Sequence, residues 1–267
     1  MPPFCSKKHG AALKANLICA FLAVYAGASP ASGDEELSEV LATFGPGVIT
    51  QTSTTATIES VTDFITSNAD KRTFTIMAGD DAGGTLLFEV VQKEGELGTH
   101  FVHMGKGNIA TIRYLKSSVY RSQQVDDDSG SIASFDPAEP VFLSKQGCGD
   151  KVESQISVTV SPISRPTEVS HRGDLKCTYE VLGTFQVVSP IGVFETICVR
   201  TRYRGKVGPA DVDDSRYIFY AEKYGPVAIR TFSHVEAMIF YNKTKQRSLL
   251  LSEYDLVPDP VGGKSAQ

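Results

Sequence analysis

The stretch that decides the fold runs from Glu180 to Phe232 and reads EVLGTFQVVSPIGVFETICVRTRYRGKVGPADVDDSRYIFYAEKYGPVAIRTF. It is rich in β-branched and aromatic residues, which favour strands, and turn-forming residues interrupt it at Pro190-Ile191-Gly192 and at Tyr224-Gly225-Pro226. The pattern therefore predicts two antiparallel strand pairs, the first over 178–189 and 192–203 and the second over 216–223 and 227–241, with an exposed loop at 204–215 between them.

The flanking sequence shows the same β pattern, with one helical exception. Short runs rich in Thr, Ile and Val, bounded by polar turn clusters, recur up to residue 160, and the first of them predicts a strand over 54–66. Before these runs, apolar residues at i, i+3, i+4 and i+7 predict a short amphipathic helix: Leu37, Val40, Leu41 and Phe44. We therefore expect an all-β fold with minor α content, namely a strongly curved antiparallel sheet or half-barrel with one short N-terminal helix.

The N-terminal segment has the three parts of a secretory signal peptide. It is basic, it continues with an apolar run from Leu17 to Ala26, and Ala26-Gly27-Ala28 offers a cleavage site. The apolar run is shorter than the roughly 20 residues that span a bilayer, so we expect no transmembrane segment after signal removal. The predicted organisation is a signal peptide over 1–28, a single β-rich domain over 34–257 and a flexible C-terminal tail over 258–267. Such a protein is exported, either to the periplasm or into the medium.

The charge balance narrows the class of partner. The chain of 267 residues carries a formal net charge of −5. Broad binding to nucleic acid requires a basic face, which an acidic protein of this composition does not provide. We therefore expect no nucleic-acid partner.

The cysteines raise the question of a disulfide. Two of the five fall in the predicted signal peptide, and Cys148, Cys177 and Cys198 remain. In an oxidising compartment these three allow at most one internal disulfide. Folding the first strand pair about Pro190-Ile191-Gly192 sets Cys198 opposite Thr184, too far from Cys177 for the Cα spacing that a disulfide requires. The pairing, if there is one, stays open.

No motif in the chain fixes a chemical reaction. Asp126-Asp127-Asp128 followed by Gly130 resembles the start of a calcium loop, but Pro137 occupies the twelfth position, where a bidentate acid is needed. His100 and His103 stand three apart in a predicted strand, so their side chains should point to opposite faces. We expect no metal, no cofactor and no catalytic residue. The alternative is a hydrolase or other enzyme whose site is dispersed over several strands.

The second strand pair is unusually aromatic. Alternation along the strands places Tyr217 and Phe219 on one face with Val227 and Ile229, and Tyr220 on the other face. Strands with apolar groups on both faces belong either to a sheet buried on both sides or to a sheet whose second face meets a ligand. The candidate ligand-binding residues are therefore Tyr217, Phe219, Tyr220, Val227 and Ile229, with core packing as the alternative.

Two segments resemble a known group of proteins. Residues 187–199, VVSPIGVFETICV, resemble the V-x-x-P-x-G-x-F-x-T-x-x-V strand pair of β-rich exported bacterial proteins of unknown function, and residues 217–227 resemble their closing strand, Y-x-x-Y-A-x-x-x-G-x-V. Those proteins are in turn distantly similar to the half-barrel carriers that localise lipoproteins in the periplasm. The chain departs from the group at Ile191, where a small residue is usual, and at Phe219, where tryptophan is usual.

The resemblance and the aromatic strands together suggest a function without covalent chemistry. An apolar concave face on a curved sheet can hold a lipid, an acyl chain or the hydrophobic segment of an envelope protein. We therefore expect an exported, non-catalytic binding module. A structural, envelope-associated protein with a packed core and no ligand is a further alternative.

Overall fold

The computed structural model describes residues 33–65, 70–237 and 241–256, so the predicted signal peptide at 1–28 and tail at 258–267 lie outside the described residues. One helix and thirteen strands are formed, in the order α1 (Gly33–Ala42), β1 (Ile49–Ser53), β2 (Asp70–Ala78), β3 (Thr85–Gln92), β4 (Thr99–Met104), β5 (Asn108–Leu115), β6 (Ser118–Asp126), β7 (Ser131–Leu143), β8 (Lys151–Pro162), β9 (His171–Ser189), β10 (Gly192–Val207), β11 (Ala210–Ala221), β12 (Gly225–Ala237) and β13 (Tyr241–Leu256). The prediction of a nearly all-β chain with one short N-terminal helix is confirmed.

Twelve of the strands, β2 to β13, close into a barrel. Each pairs antiparallel with its neighbour in sequence, and β13 returns to pair with β2, from Leu256 opposite Asp70 to Ser248 opposite Ala78. The predicted open sheet or half-barrel is therefore corrected to a closed barrel of twelve strands. The closing pair joins β2 and β13, which are far apart in the sequence. Turn residues and strand patterns are local, so they do not predict such a contact.

The hairpin of β9 and β10 is one residue out of the predicted register. The turn contains only Pro190 and Ile191, because Gly192 already pairs with Ser189. Cys198 therefore lies opposite Gly183, while Cys177 lies opposite Tyr203, far along the same ribbon. The prediction takes three residues for the turn, and the two-residue turn shifts the partners by one position as far as Cys198. A bulge between Cys198 and Val199 shifts the partners beyond it by a second position.

The prediction of an exposed loop over 204–215 is wrong. Strand β10 continues to Val207, β11 begins at Ala210, and only two residues form the turn. The charged residues of this segment face each other across the hairpin: Arg202 Nε and Arg204 Nε lie 3.2 and 3.0 Å from the carboxylate oxygens of Asp213. Opposite charges at facing positions stabilise a strand pair, so the aspartates mark cross-strand contacts here and not a loop.

Helix α1 lies on the outside of the barrel. Val40 and Phe44 belong to one buried cluster with Phe185 and Phe219 of β9 and β11, and the Phe44 and Phe219 rings meet edge-on with centroids 6.2 Å apart. Strand β1 lies in the same region, paired with the end of β9 through Ile49 and Val187. Among the described residues, no helix has the length and apolar character needed to cross a membrane.

Residues 54–65, which we call the plug segment, close one end of the barrel. The predicted strand over 54–66 does not form in the described part of that range. Instead Ile58, Val61 and Phe64, at a spacing of three, are buried in one cluster with Phe142 and Tyr220 of the barrel wall. The backbone N–H groups and carbonyls of this segment bond to barrel turns, as in the 2.7 Å bond from Lys223 N to the Asp63 carbonyl. A segment rich in Thr and Ile thus caps an end of the barrel, where its apolar side chains are buried in the interior cluster.

Candidate functional site

The interior of the barrel is the candidate site, and β11 shows how the sequence builds it. Because side chains alternate along a strand, Arg216, Ile218 and Tyr220 point inward and line interior cavities. Tyr217 and Phe219 point outward into the cluster beneath α1. The strand is apolar on both faces because each face is covered, the inner one by the opposite wall and the outer one by the helix.

The structure separates the five predicted ligand-binding residues into two groups. Tyr220 and Ile229 line an interior cavity, whereas Tyr217 and Phe219 lie on the outer face, and Val227 is fully buried in the cluster that contains Phe219. The cause is the register of β11 and β12, in which Ile229 lies opposite Ile218 and a bulge follows Phe219. Ile229 therefore lies on the inner face with Ile218, and it does not share a face with Tyr217 and Phe219 as predicted.

An apolar cavity of about 180 Å³ occupies one side of the interior. Its walls come from β2 to β7 and β11 to β13, and most of the side chains that line it are aliphatic or aromatic: Ile65, Leu86, Phe88, Val90, Val102, Met104, Ile112, Tyr114, Val119, Val141, Ile218, Tyr220, Pro226, Ile229 and Leu249. Four arginines, Asn108 and Thr231 complete the lining. A mostly apolar cavity of this size has room for a small apolar molecule.

A second, polar cavity of about 140 Å³ lies beside it. Its lining includes the charged or titratable side chains of Asp126, His171 and Asp214 together with valines of β8, β10, β11 and β12. Arg121 and Arg216 line both cavities. The barrel interior is therefore divided into an apolar and a polar compartment, with two arginines at the boundary.

The boundary is a buried ion cluster formed by Arg121, Glu139 and Arg216. Arg121 Nη2 donates to Glu139 Oε2 at 2.6 Å, and Arg216 Nη1 donates to Glu139 Oε1 at 3.1 Å. Glu139 is 1% exposed. The guanidinium groups also lie over aromatic rings, Arg121 at 5.1 Å from the Phe135 centroid and Arg216 at 5.2 Å from that of Tyr203. These contacts hold both arginines in place, because a buried charge needs a partner and the stacking fixes the plane of the guanidinium.

The electrostatics of the polar cavity are dominated by burial. Burial raises the pKa of Asp214 to about 7, against the opposing effect of Arg216. The pKa of the Tyr203 hydroxyl is raised well above its ordinary value by burial and by the charge of Glu139. Asp214 therefore changes its protonation near neutral pH, while Tyr203 stays neutral.

The three cysteines of the described chain are free thiols in unreactive surroundings. Burial raises the pKa of Cys177 to about 12 and that of Cys198 well above its ordinary value. Burial also raises the pKa of the partly exposed Cys148, with Glu180 and Asp150 adding to the effect. The thiolate is the reactive form of cysteine, so none of the three is prepared to act as a nucleophile.

The other residues considered for chemistry are scattered. Within residues 33–65, 70–237 and 241–256, no group of three or more His, Cys, Asp and Glu side chains is placed to hold a metal ion. His100 is buried with its ring centroid 4.5 Å from that of Tyr114, and His103 follows it in β4 on the other side of the strand. Asp126-Asp127-Asp128 forms the end of β6 and the turn to β7, where Asp126 Oδ1 accepts from Asp128 N at 3.0 Å.

Sequence reasoning missed the ion cluster. Arg121, Glu139 and Arg216 are single charged residues within strand-like segments, and nothing in their spacing links them. The one local signal is the alternation of Arg216 with Ile218 and Tyr220, which places a charged side chain on the same face as two apolar ones. A charge on a buried face needs a partner inside the fold. The partner itself comes from a strand 77 residues away in the sequence.

No protein-family profile matches the chain, and no curated protein sequence matches it. Among solved structures, the chain is similar to a lipoprotein candidate of Parabacteroides distasonis, with 11% identity, 75% of this chain and 99% of that chain covered, and a TM-score of 0.37. It is also similar to a candidate exported protein with a YmcC-like fold from Bacteroides fragilis, with 13% identity, coverage of 75% and 100%, and a TM-score of 0.29. Both TM-scores lie below 0.5, so these likenesses decide neither the fold nor the function of this chain.

Proposed function

We propose that the protein is an exported, non-catalytic binding module that holds a small apolar ligand, such as a segment of an acyl chain, inside its barrel. The observation that carries the proposal is the cavity of about 180 Å³ inside the barrel, lined mostly by aliphatic and aromatic side chains. Ligand sites are concave and mostly apolar, and they are few in any protein. Export is supported by the basic, apolar and small-residue order of the first 28 residues.

The charges around the apolar cavity favour an uncharged occupant. Four arginines line it, and each has a carboxylate partner: Arg72 with Asp70 at 2.5 Å, Arg247 with Asp81 at 2.8 Å, and Arg121 and Arg216 with Glu139 at 2.6 and 3.1 Å. Arg121 and Arg216 share the one carboxylate of Glu139, and Asp214 supplies a second negative charge beside Arg216. Because every guanidinium group already faces a carboxylate, the cavity offers a ligand contact area and little else. The occupant is therefore a hydrocarbon group and not a charged head group.

The size of the cavity limits the ligand. Its volume is close to the roughly 150 Å³ of an engineered apolar cavity that admits a benzene molecule. A whole phospholipid does not fit, whereas a short acyl segment or the apolar side chain of an envelope partner does. The two sources share the same chemistry and are told apart by what leaves the barrel on extraction.

The test is native mass spectrometry of the purified protein with organic extraction, followed by a titration with benzene monitored by thermal unfolding. We expect a co-purifying apolar molecule, and benzene should raise the unfolding temperature because it binds the folded state alone. Val102→Phe puts a larger side chain into the cavity and should abolish the benzene effect. Val193→Phe is the matched control, because Val193 is 60% exposed on the outside.

Some results would contradict the proposal. If no molecule co-purifies and benzene leaves the unfolding temperature of the wild-type chain unchanged, the interior is a packed core and the protein is structural. If benzene stabilises both valine variants equally, it binds elsewhere on the molecule.

A further inference from the structure

The polar cavity contains more negative than positive charge. Two guanidinium groups, those of Arg121 and Arg216, face three carboxylates, those of Asp126, Glu139 and Asp214. One negative charge is left over when all five groups are ionised and the imidazole of His171, also on the wall, is neutral. A buried charge without a counter-charge is costly. The cavity therefore has room, electrostatically, for one positive charge.

The two aspartates are also the groups with unused hydrogen-bonding capacity. Glu139 accepts from both arginines, as described above. Asp126 is 3% exposed and Asp214 is 7% exposed, and each has one carboxylate oxygen, Oδ2 and Oδ1 respectively, without a hydrogen-bond partner in the structure. The hydroxyl of Ser233, opposite Asp214 in β12, is a neutral donor beside the Asp214 carboxylate and lowers its pKa in part. Asp126 comes from the end of β6 and Asp214 from the first half of β11, so they approach the same cavity from different strands. Buried acceptors without a donor are rare in native proteins and call for an explanation.

The cavity is suited to a small organic cation. Its volume of about 140 Å³ is close to that of the engineered cavity that admits benzene, so a molecule of a few carbon atoms fits. Val158, Val160 and Val212 give it apolar walls. We propose that this cavity binds a small primary alkylammonium ion, whose N–H groups donate to Asp126 and Asp214 while its hydrocarbon body lies against the valines.

The donor set distinguishes this ligand from other cations. A calcium ion requires 6–8 oxygen ligands, and no group of three or more acidic, histidine or cysteine side chains within the described ranges is placed to hold a metal. A quaternary ammonium ion carries the charge but has no N–H group to donate. A primary ammonium ion has three, which is enough for the two free carboxylate oxygens.

Binding of a cation at this place depends on the ionisation of Asp214. The charged or titratable groups around it are Arg216 on its own strand, Arg121 from β6, Glu139 from β7, Tyr203 from β10, and, elsewhere on the cavity wall, Asp126 from β6 and His171 from β9. Since burial raises the pKa of Asp214 to about 7, a growing fraction of this carboxylate is protonated below that pH. The affinity for the ammonium ion should therefore fall about tenfold for each pH unit below 7.

The experiment is isothermal titration calorimetry of the full chain with n-butylammonium chloride at about pH 8, repeated at about pH 6. We expect binding at the higher pH, and no binding of 1-butanol or tetramethylammonium chloride at the same ionic strength. Asp214→Asn and Asp126→Asn should each weaken binding tenfold or more, because each replaces a carboxylate that faces the ammonium charge by a neutral amide. His171→Gln should still bind n-butylammonium at about pH 8.

Circular dichroism of each variant shows whether the barrel has folded, and two aspartate variants keep the test open if one of them does not fold. The proposal is overturned if n-butylammonium and 1-butanol bind equally, since the site would then be merely apolar. It is also overturned if no primary alkylammonium ion from methyl to hexyl binds, or if folded aspartate variants bind as tightly as the wild-type chain. In those cases water alone satisfies the two carboxylates.

Discussion

At the scale of single residues, the barrel interior is unusual for the charges that it buries. Glu139 is 1% exposed and is neutralised by two arginines, whereas Asp214 is 7% exposed and keeps an oxygen without a partner. The first arrangement offsets the cost of burial through direct hydrogen bonds. The second leaves much of that cost in place, and it shows in the raised pKa of Asp214.

The raised pKa of Asp214 makes stability depend on pH in a defined direction. The pKa is about 7 in the folded protein and 3.8 for an ordinary aspartate, so between these values the folded state binds more protons than the unfolded state. Stability therefore falls as pH rises through this window, and the loss is complete above about pH 7. Asp214→Asn removes the buried charge and should raise the free energy of unfolding at about pH 8 by roughly 4 kcal/mol, with little change at about pH 4.

Denaturant unfolding at the two pH values measures this difference. The matched control is Asp211→Asn, which changes an exposed aspartate on the same strand that pairs with Lys206 at 3.3 Å. Exposed ion pairs contribute about 0–1 kcal/mol, so this variant should show no comparable gain at the higher pH. A wild-type stability that does not fall between pH 4 and pH 7 relative to Asp214→Asn would contradict the buried, raised-pKa carboxylate.

Alternation along a strand predicts which apolar residues share a face. It does not predict which inward-facing charged residues form ion pairs with each other. Tyr220 and Ile229 could be named as candidates for an interior face because alternation is a local property. The contact of Arg216 with Glu139 depends on closure of the barrel, in which β7 and β11, four strands apart around the wall, face the same interior. Such a contact is set by the whole topology, and no short-range pattern contains it.

At the scale of elements, helix α1 is the clearest success of the sequence pattern. The apolar spacing from Leu37 to Phe44 predicted its existence, and its apolar side packs on the outer face of β11. The pattern could not tell which side of the sheet the helix covers. That side follows from the outward direction of Tyr217 and Phe219, which is fixed by the register of the hairpins.

Phe44 should hold the helix region on the barrel. It is 1% exposed, just beyond the end of α1, and its ring meets Phe219 edge-on. Phe44→Ala should lower the free energy of unfolding by about 3–5 kcal/mol, because it removes a large buried side chain and leaves a cavity. Chemical denaturation followed by far-ultraviolet circular dichroism measures the loss. Glu39→Ala, on the exposed side of α1, is the control and should stay within about 0.5 kcal/mol of the wild type. Equal stabilities of the two variants would mean that the outer cluster contributes little.

The plug segment and the β10–β11 hairpin show where element prediction failed. Thr and Ile favour strands locally, but residues 54–65 bury Ile58, Val61 and Phe64 in the interior cluster at one end of the barrel and form a cap there. Conversely, glycine, proline and aspartate between 204 and 215 suggest a loop, although Asp213 and Asp211 pair with Arg202, Arg204 and Lys206 across a regular hairpin. In both cases a tertiary or cross-strand contact overrides local preference.

At the scale of the whole molecule, closure separates the observed barrel from the predicted half-barrel. An open sheet leaves two edges with unpaired N–H and C=O groups, and closure removes both. Here the edges that meet are β2 and β13, near the two ends of the described chain. Closure also creates the interior in which both cavities lie. The walls of the apolar cavity come from β2 to β7 and β11 to β13, and those of the polar cavity come from β6 to β12.

Closure is tested by a cross-link between positions that only a closed barrel brings together. Lys71 and Asp255 are exposed and lie directly opposite each other in the β2–β13 pair. Facing residues of an antiparallel pair have Cα atoms about 4.5–5.5 Å apart, which is within the range that a disulfide accepts. Lys71→Cys with Asp255→Cys, in a chain whose Cys5, Cys19 and Cys148 are replaced by serine, should therefore form a disulfide on mild oxidation.

The cross-link should shift the band in a non-reducing gel and raise the unfolding temperature, because it closes a long loop in the unfolded chain and so stabilises the fold by about 2–4 kcal/mol. Asp80→Cys with Asp255→Cys is the control, since Asp80 follows the opposite end of β2 and faces no part of residue 255. The buried thiols of Cys177 and Cys198 are fully inaccessible and should not compete. Slow or absent oxidation of the facing pair, at the same rate as the control pair, would mean that β2 and β13 do not meet and that the sheet is open.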